Sequence, residues 1–289
     1  CVGGALYGSY DFLTGVVIAH SCECMRRLYD AWQFKQKEIG TQCLYFLDVP
    51  RTYNARSVGY FAGQLQRLKE ALEAVSGPIS DESLWQTIRR YEHTRELFKW
   101  ILDLRKQDRP RISGSEAAVL IHESQTLPRS DFNKRLEAFI ESKEGAPGNS
   151  GPRIMICGGP ESGNVVNTIE RAGGVVVYEN TCNGMRSCDG SIDVTKEPLT
   201  ALSKRYLGKN PCPRMLGAHA EKGLRSLRTL AETYRVDGII YYAVKFCANM
   251  QSEAAIVKNE IDVGVPFKLV EGDLNDDIDE RVIRSFIKK

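Results

Sequence analysis

The strongest constraint on this chain is an alternation of two hydrophobic periods. Near the start, "LTGVVIAHSC" (13–22) and "CLYFLDVP" (43–50) are short, almost unbroken apolar runs. Between them "MRRLYDAWQFKQ" places Met25, Leu28, Tyr29 and Trp32 at helical spacing. The pattern returns after residue 152 with the strand-like runs "RIMICG", "VVVYENTC", "DGIIYYAVKFC" and "PFKLVEGD", separated by segments of helical period. Unbroken apolar strands that alternate with helices indicate a parallel sheet covered on both faces. The expected fold class is α/β, with two open parallel-sheet lobes.

The middle of the chain reads differently. "SVGYFAGQLQRLKEALEAVSG" sets Phe61, Leu65, Leu68, Leu72 and Val75 on one stripe, and Gly77 ends it. A long helix is expected from a Ser80 cap, followed by two shorter ones near 114–124 and 130–142. "KEGAPGNSGP" has the composition of a linker. The organisation predicted is a first α/β lobe over 1–55, a helical region over 56–142, a linker at 143–152 and a second lobe over 153–289.

The 289 residues are 42% hydrophobic and 26% charged, which fits one large or two medium globular domains. A net charge of +2 supplies no strong field for nucleic acid or a membrane surface. The basic cluster in "MRRLYD" reads as a solvated helix face or as a contact for an anionic ligand. No apolar run reaches the roughly 20 residues of a membrane span. No signal peptide is visible and residue 1 is Cys, so the natural N-terminus is expected to be missing. The nine cysteines are odd in number and unlike a secreted disulfide framework in spacing, which favours a reducing cytoplasm.

Three of these cysteines share a position. Cys22, Cys182 and Cys247 each finish a strand pattern, and the first and last then open a helix. In open α/β sheets ligands sit at the carboxyl ends of strands. A helix N-terminus also favours thiolate over thiol. Zinc prefers paired local ligands such as CxxC, a motif absent from this sequence. Well-separated soft ligands suit an iron–sulfur cluster better, although zinc in a structural site remains an alternative. Cys43 and Cys157 lie inside strand patterns and read as core packing. "CGGPESG" is a strand-to-helix turn that could meet an anion, but it is not GxGxxG, so no NAD site is expected. His20 and Glu179, close before strand-end cysteines, are candidate proton relays, and His122 with Glu123 is a weaker acid/base pair.

The stretches "TGVVIAHSCECMRRLYDAW", "YENTCNGMRS", "PLTALSKRYLGKNPCP" and "DGIIYYAVKFC…VPFKLVEGD" resemble the 2-hydroxyacyl-CoA dehydratase family, which includes benzoyl-CoA reductase subunits and double-cubane cluster proteins. The resemblance extends through the helical middle, including "ISGSEAAVLIHESQTLPRSDF". It implies two flavodoxin-like lobes with a helical insertion. It also implies a 4Fe–4S cluster held by Cys22, Cys182 and Cys247, matching the family motifs "C-D-S/A", "E-x-T-C-x-G" and "F-C". Glu23 stands where the family usually has Asp, and Cys24 where a small residue is common. Cys1 and Cys212 resemble extra cysteines of the branch with two sulfide-bridged cubanes. With one of Cys24 or Cys188 they would complete six thiolates for that larger cluster.

What the resemblance implies about activity is a low-potential radical enzyme acting on a CoA thioester. An ATP-dependent iron–sulfur activator protein would inject an electron, and the resulting ketyl radical would lead to dehydration or ring reduction. The partner expected is a homologous or identical subunit, with Trp85, Phe98 and Trp100 of the helical middle as candidate interface residues. The alternative is a non-catalytic subunit that relays electrons or scaffolds a paralogous catalytic chain.

Overall fold

A computed structural model describes residues 1–160, 163–188, 190–209, 212, 214–215, 218–260, 264–273 and 278–288. They form two compact units. One comprises residues 1–86, 192–208 and 214–217; the other comprises 87–191, 209–213 and 218–289.

The first unit carries a two-stranded parallel sheet, β1 (Gly15–Ala19) and β2 (Cys43–Leu47), in register from Gly15 opposite Cys43 to Ala19 opposite Leu47. A short helix α1 (Val2–Leu6) precedes it, and α2 (Glu23–Ile39) makes the crossover. Gly40 ends α2 in the left-handed conformation, at φ 77°. That position favours glycine because it lacks a Cβ. Trp32 of α2 packs with Ala5 and Ile18, and its indole N–H donates to Thr41 Oγ1 at 3.0 Å. The long helix α3 (Ala55–Ser76) starts at an Asn54 cap and packs against α8 (Pro198–Gly208). Val58, Phe61 and Leu207 join Leu47 of β2 in one buried cluster. Only part of the predicted α3 stripe is covered, since Leu72 and Val75 are exposed.

The second unit holds a four-stranded parallel sheet in the order β4-β3-β5-β6. Its strands are β3 (Arg153–Gly158), β4 (Val175–Thr181), β5 (Gly238–Val244) and β6 (Phe267–Gly272). Side chains alternate faces with period two. Met155, Cys157, Val175, Val177, Ile239, Tyr241 and Ala243 pack on one face with a large helical core. Ile154, Ile156, Val176, Ile240 and Tyr242 pack on the other with α7 (Gly163–Arg171) and α11 (Glu280–Ile287). Every residue of β3 and β4 is buried. This is why those segments read as unbroken apolar runs.

The helices of the middle are α4 (Asp81–Arg105), α5 (Gly114–Thr126) and α6 (Arg129–Ser142). Ser113 and Glu116 form a reciprocal capping box at α5, and the Glu170 carboxylate accepts from the Gly114 and Ser115 backbone N–H groups. The remaining helices are α9 (Ala218–Thr233) and α10 (Ala248–Glu260). Phe98 stacks on Phe132 inside this core at 1% exposure, and Trp100 packs against the same cluster. Phe98 therefore belongs to the core of its own chain and is not presented to a partner. Asn149, in the segment 143–152, donates its backbone and side-chain N–H groups to the Pro110 carbonyl, at 2.8 and 2.9 Å. No helix among the described residues is long and apolar enough to cross a membrane.

The fold class is thus the one expected: mixed α/β, with two parallel sheets and a largely helical region between them in sequence.

Candidate functional site

In the first unit the carboxyl ends of β1 and β2 present His20, Cys22 and Asp48. The His20 backbone N–H donates to the Leu47 carbonyl at 2.8 Å, which holds the loop beside the end of β2. The His20 ring nitrogen Nδ1 lies 3.1 Å from Asp48 Oδ1, and Tyr60 O–H donates to Asp48 Oδ2 at 2.7 Å. Partial burial works against ionising Asp48, but these two partners hold its carboxyl below the ordinary value. The hydrogen bond to Asp48 raises the Tyr60 hydroxyl in turn. Cys22 is the N-cap of α2 with extended backbone, and its carbonyl accepts from the Arg26 N–H. Its sulfur makes no capping hydrogen bond. Cys24 and Cys1 are both exposed, the latter as the N-cap of α1. The basic cluster beyond Cys22 is satisfied locally: Arg27 pairs with Glu23 and Asp30, and Arg26 lies over the Phe46 ring.

In the second unit Cys182 follows β4 and Cys247 follows β5. Between β5 and Cys247 the chain turns tightly, with the Cys247 N–H donating to the Val244 carbonyl at 3.1 Å. Phe246 adopts φ 67°, a left-handed conformation that costs a non-glycine residue on the order of 1–3 kcal/mol. Its ring is 93% exposed. The Cys247 carbonyl accepts from Met250 and Gln251, so this residue opens α10 as the sequence suggested.

The Cys182 thiol is hydrogen-bonded with the Cys212 thiol. That contact, then burial, then the charge of Cys212 and Cys247 push its pKa well up, while Arg186 opposes them. Cys182, which is exposed at its surface, thus lies within the field of two cysteines distant from it in sequence. Cys188 is half-buried, with its sulfur 3.6 Å from Ser187 Oγ. Cys157 is 1% exposed in the core, and burial pushes its thiol up to about 12. That is the behaviour of a packing residue at neutral pH. Among the described residues no three His, Cys, Asp or Glu side chains have the spacing of ligands to a single metal ion. A cluster differs, because each thiolate binds its own iron. An all-sulfur donor set suits iron–sulfur chemistry, so the three cysteines of this unit fit such a group.

Glu179 lies three residues before Cys182 and is completely buried. Both its oxygens accept from Arg105, at 2.6 and 2.5 Å, and Arg105 is equally inaccessible. Burial opposes the Arg105 charge, but the Glu179 carboxylate raises its pKa overall. Gly184 explains the glycine of the "E-x-T-C-x-G" pattern. A Cβ there would meet the Glu179 carbonyl and Thr181 Oγ1 at 2.5 Å each. Of the turn "CGGPESG", Gly158 and Gly159 are described, while Glu161 and Ser162 lie outside the described residues. Glu123 is paired with Arg135, and its neighbour His122 is exposed.

Sequence reasoning missed Asp48 and Tyr60, although Asp48 directly follows a strand. It also missed Arg186, Tyr241 and Glu253. Tyr241 O–H donates to Glu253 Oε2 at 2.5 Å, and burial raises the Glu253 pKa.

The family model for 2-hydroxyglutaryl-CoA dehydratase, D-component, matches residues 1–285. The chain belongs to this family. Among curated members it is 26% identical over 247 residues to a benzoyl-CoA reductase subunit of Thauera aromatica, covering 82% of this chain and 63% of that protein. It is 22% identical to the putative dehydratase subunit YjiM of Escherichia coli K12, covering 91% and 70%. It is 19% identical to the (R)-phenyllactyl-CoA dehydratase beta subunit of Clostridium sporogenes, covering 93% and 72%. The chain therefore spans about two thirds of the length of these family members.

Proposed function

We propose that this chain is the iron–sulfur subunit of a low-potential radical enzyme acting on CoA thioesters, by 2-hydroxyacyl-CoA dehydration or benzoyl-CoA-type ring reduction. The observation that carries the reading is membership of this family over residues 1–285, in a chain whose strand-end Cys182 lies in the field of Cys212 and Cys247. The core ligand set is Cys22, Cys182 and Cys247. Cys212 and Cys1, with Cys24 or Cys188, are the further ligands if two bridged cubanes are held. When bound, such a cluster supplies one-electron transfer at low potential.

The remaining roles belong to the protein. The cysteines follow the strand ends, where a helix cap at Cys22 and a tight turn at Cys247 fix the backbone that carries their sulfurs. His20 is the proton donor, with Asp48 orienting its ring through Nδ1 and leaving Nε2 for a substrate. Glu179 exchanges a proton only when its pair with Arg105 opens, and it otherwise fixes the strand that leads to Cys182. The partners in this reading are a homologous or identical subunit and an ATP-dependent iron–sulfur activator, in a reducing cytoplasm. The relatives from Thauera aromatica and Clostridium sporogenes are each named as one subunit of an enzyme. Their naming favours a second reading, in which the chain relays electrons or scaffolds a catalytic partner.

The test is anaerobic purification with iron and sulfide analysis, then a screen of CoA thioesters with activator and ATP. Iron and sulfide with turnover support the enzyme; iron and sulfide without turnover, even beside a homologous subunit, favour the relay. Zinc without sulfide would sink both.

A further inference from the structure

Phe246 carries two unfavourable features at once. Its φ of 67° is left-handed, a conformation that glycine or asparagine adopts at less cost. Its ring is 93% exposed, so it gains almost no burial from its own chain. The backbone around it is held from both sides. The Lys245 N–H donates to the Gly272 carbonyl at 2.9 Å and the Cys247 N–H to the Val244 carbonyl at 3.1 Å. The Met250 and Gln251 N–H groups then donate to the Cys247 carbonyl, each at 3.1 Å. Backbone strain persists where the surroundings over-determine it, and it gathers at functional sites. The turn itself needs no aromatic side chain, so the ring requires a separate cause.

The ring also stands apart from other apolar surface. Among the described residues, the other large apolar side chains exposed on this unit are Tyr91, Val119, Leu127 and Leu269. None of them lies in a loop after β3, β4 or β5: Tyr91 is in α4, Val119 in α5, Leu127 caps α5 and Leu269 is in β6. A protein partner typically covers about 800 Å² per side, whereas one Phe side chain offers on the order of 150–250 Å². A lone ring suits a small ligand better. Ligands of open α/β sheets lie at the carboxyl ends of strands, and Phe246 follows the end of β5.

We propose that Phe246 is a specificity-determining residue that receives the acyl group of the CoA thioester, and that this acyl group is apolar, such as an aromatic or branched chain, rather than carboxylated. The inference rests on the function proposed above, with Cys247 at the reacting centre. Consecutive Cα atoms are about 3.8 Å apart, so the ring stands beside that centre. The acyl group is the part of the substrate nearest the reacting carbonyl, whereas the adenine lies a whole pantetheine arm away. An aromatic face attracts apolar and aromatic groups and offers a carboxylate no hydrogen bond. A bound acyl group would also give the ring the burial that its own chain does not.

The test uses the full chain, purified anaerobically, with Phe246→Asn, which tolerates the left-handed conformation, and Phe246→Tyr, which keeps the ring. Phenylacetyl-CoA, glutaryl-CoA and CoA alone are titrated calorimetrically, and the thermal midpoint is measured without ligand. Wild type is expected to bind phenylacetyl-CoA about 10-fold or more tightly than glutaryl-CoA. Phe246→Asn should reduce that preference to about 2-fold, leave the affinity for CoA alone unchanged and raise the midpoint by a few degrees. Phe246→Tyr should retain the preference. A lower midpoint in Phe246→Asn would mean that the ring packs within its own chain, and would overturn the inference. So would a wild type that prefers glutaryl-CoA, or a preference that survives in Phe246→Asn. If that surviving preference came with dissociation of a larger assembly in sedimentation, the ring would belong to a protein interface instead. If wild type binds neither thioester nor CoA, the functional reading fails and the inference with it.

Discussion

At the scale of single residues, two kinds of buried charge have opposite consequences. Arg105 and Glu179 neutralise each other at zero exposure. Arg105→Met is expected to cost about 3–5 kcal/mol in urea unfolding, because it strands a carboxylate in the core. Adding Glu179→Leu to it should return much of that loss. Glu253 is the reverse case. Its folded pKa is raised, so its contribution is present below the unfolded value and lost as pH rises through the folded one. Stability should therefore decline on the alkaline side of the ordinary carboxylate range, and Glu253→Gln should flatten that decline. Asp48 behaves oppositely. Its folded pKa is lowered, so its contribution is present above the unfolded value and disappears as pH falls through the folded one. Asp48→Asn should flatten the acid limb of a stability–pH profile below about pH 4. Among the cysteines, Cys182→Ser should lower bound iron. Cys43→Ala, beside Gly15 on the first sheet, should cost only about 1 kcal/mol in chemical denaturation and no iron. Equal iron loss from both would refute the assignment of Cys182 as a ligand and Cys43 as packing.

At the scale of elements, the ends of strands matter more than their middles. Gly158 closes β3 at φ 113°, and a Cβ there would meet the Tyr242 carbonyl at 2.2 Å. The collision is with backbone, so no rotamer change relieves it. Gly158→Ala is expected to separate β3 from β5 locally and lower the thermal midpoint by several degrees; an unchanged midpoint would refute the tight approach. The same glycine's carbonyl lies 3.9 Å from the Cys182 sulfur, so the variant should also disturb that thiol. The elements themselves were legible. β3 occupies the predicted "RIMICG", and β4 and β5 end within three residues of their predicted cysteines. Their two-sided burial leaves a continuous apolar signal with sharp polar ends. The helix α11 was not foreseen. It buries Ile283 against the cluster of α7 and the sheet, with Phe286 and Ile287 packed beside it; its eight residues are too short a run for the helical period to stand out by itself.

At the scale of the whole molecule, family membership extends over residues 1–285. Obligate pairing with a homologous or identical subunit is the expectation, because a cleft for radical chemistry must exclude water and a second wall does so. Sedimentation velocity at micromolar concentration should show a species larger than one chain. A stable monomer that nonetheless turns over substrate would defeat the pairing. The burial of Phe98 narrows the candidate interface in the helical region to exposed or half-buried residues such as Trp85.

The sequence alone determined the α/β class, the run of helices in the middle and the strand-end placement of Cys22, Cys182 and Cys247. Each depends on local periodicity, which neighbouring residues carry in their own order. Tertiary structure decided which acids and bases share a field. Arg105 is 74 residues from Glu179 in sequence, and His20 is 28 from Asp48. It also decided that Cys212 meets Cys182 and that Arg186 is buried with its Nε and Nη2 on Asn180. No local pattern encodes such pairs, because charge and hydrogen bonding act through space and depend on which strands the sheet sets side by side.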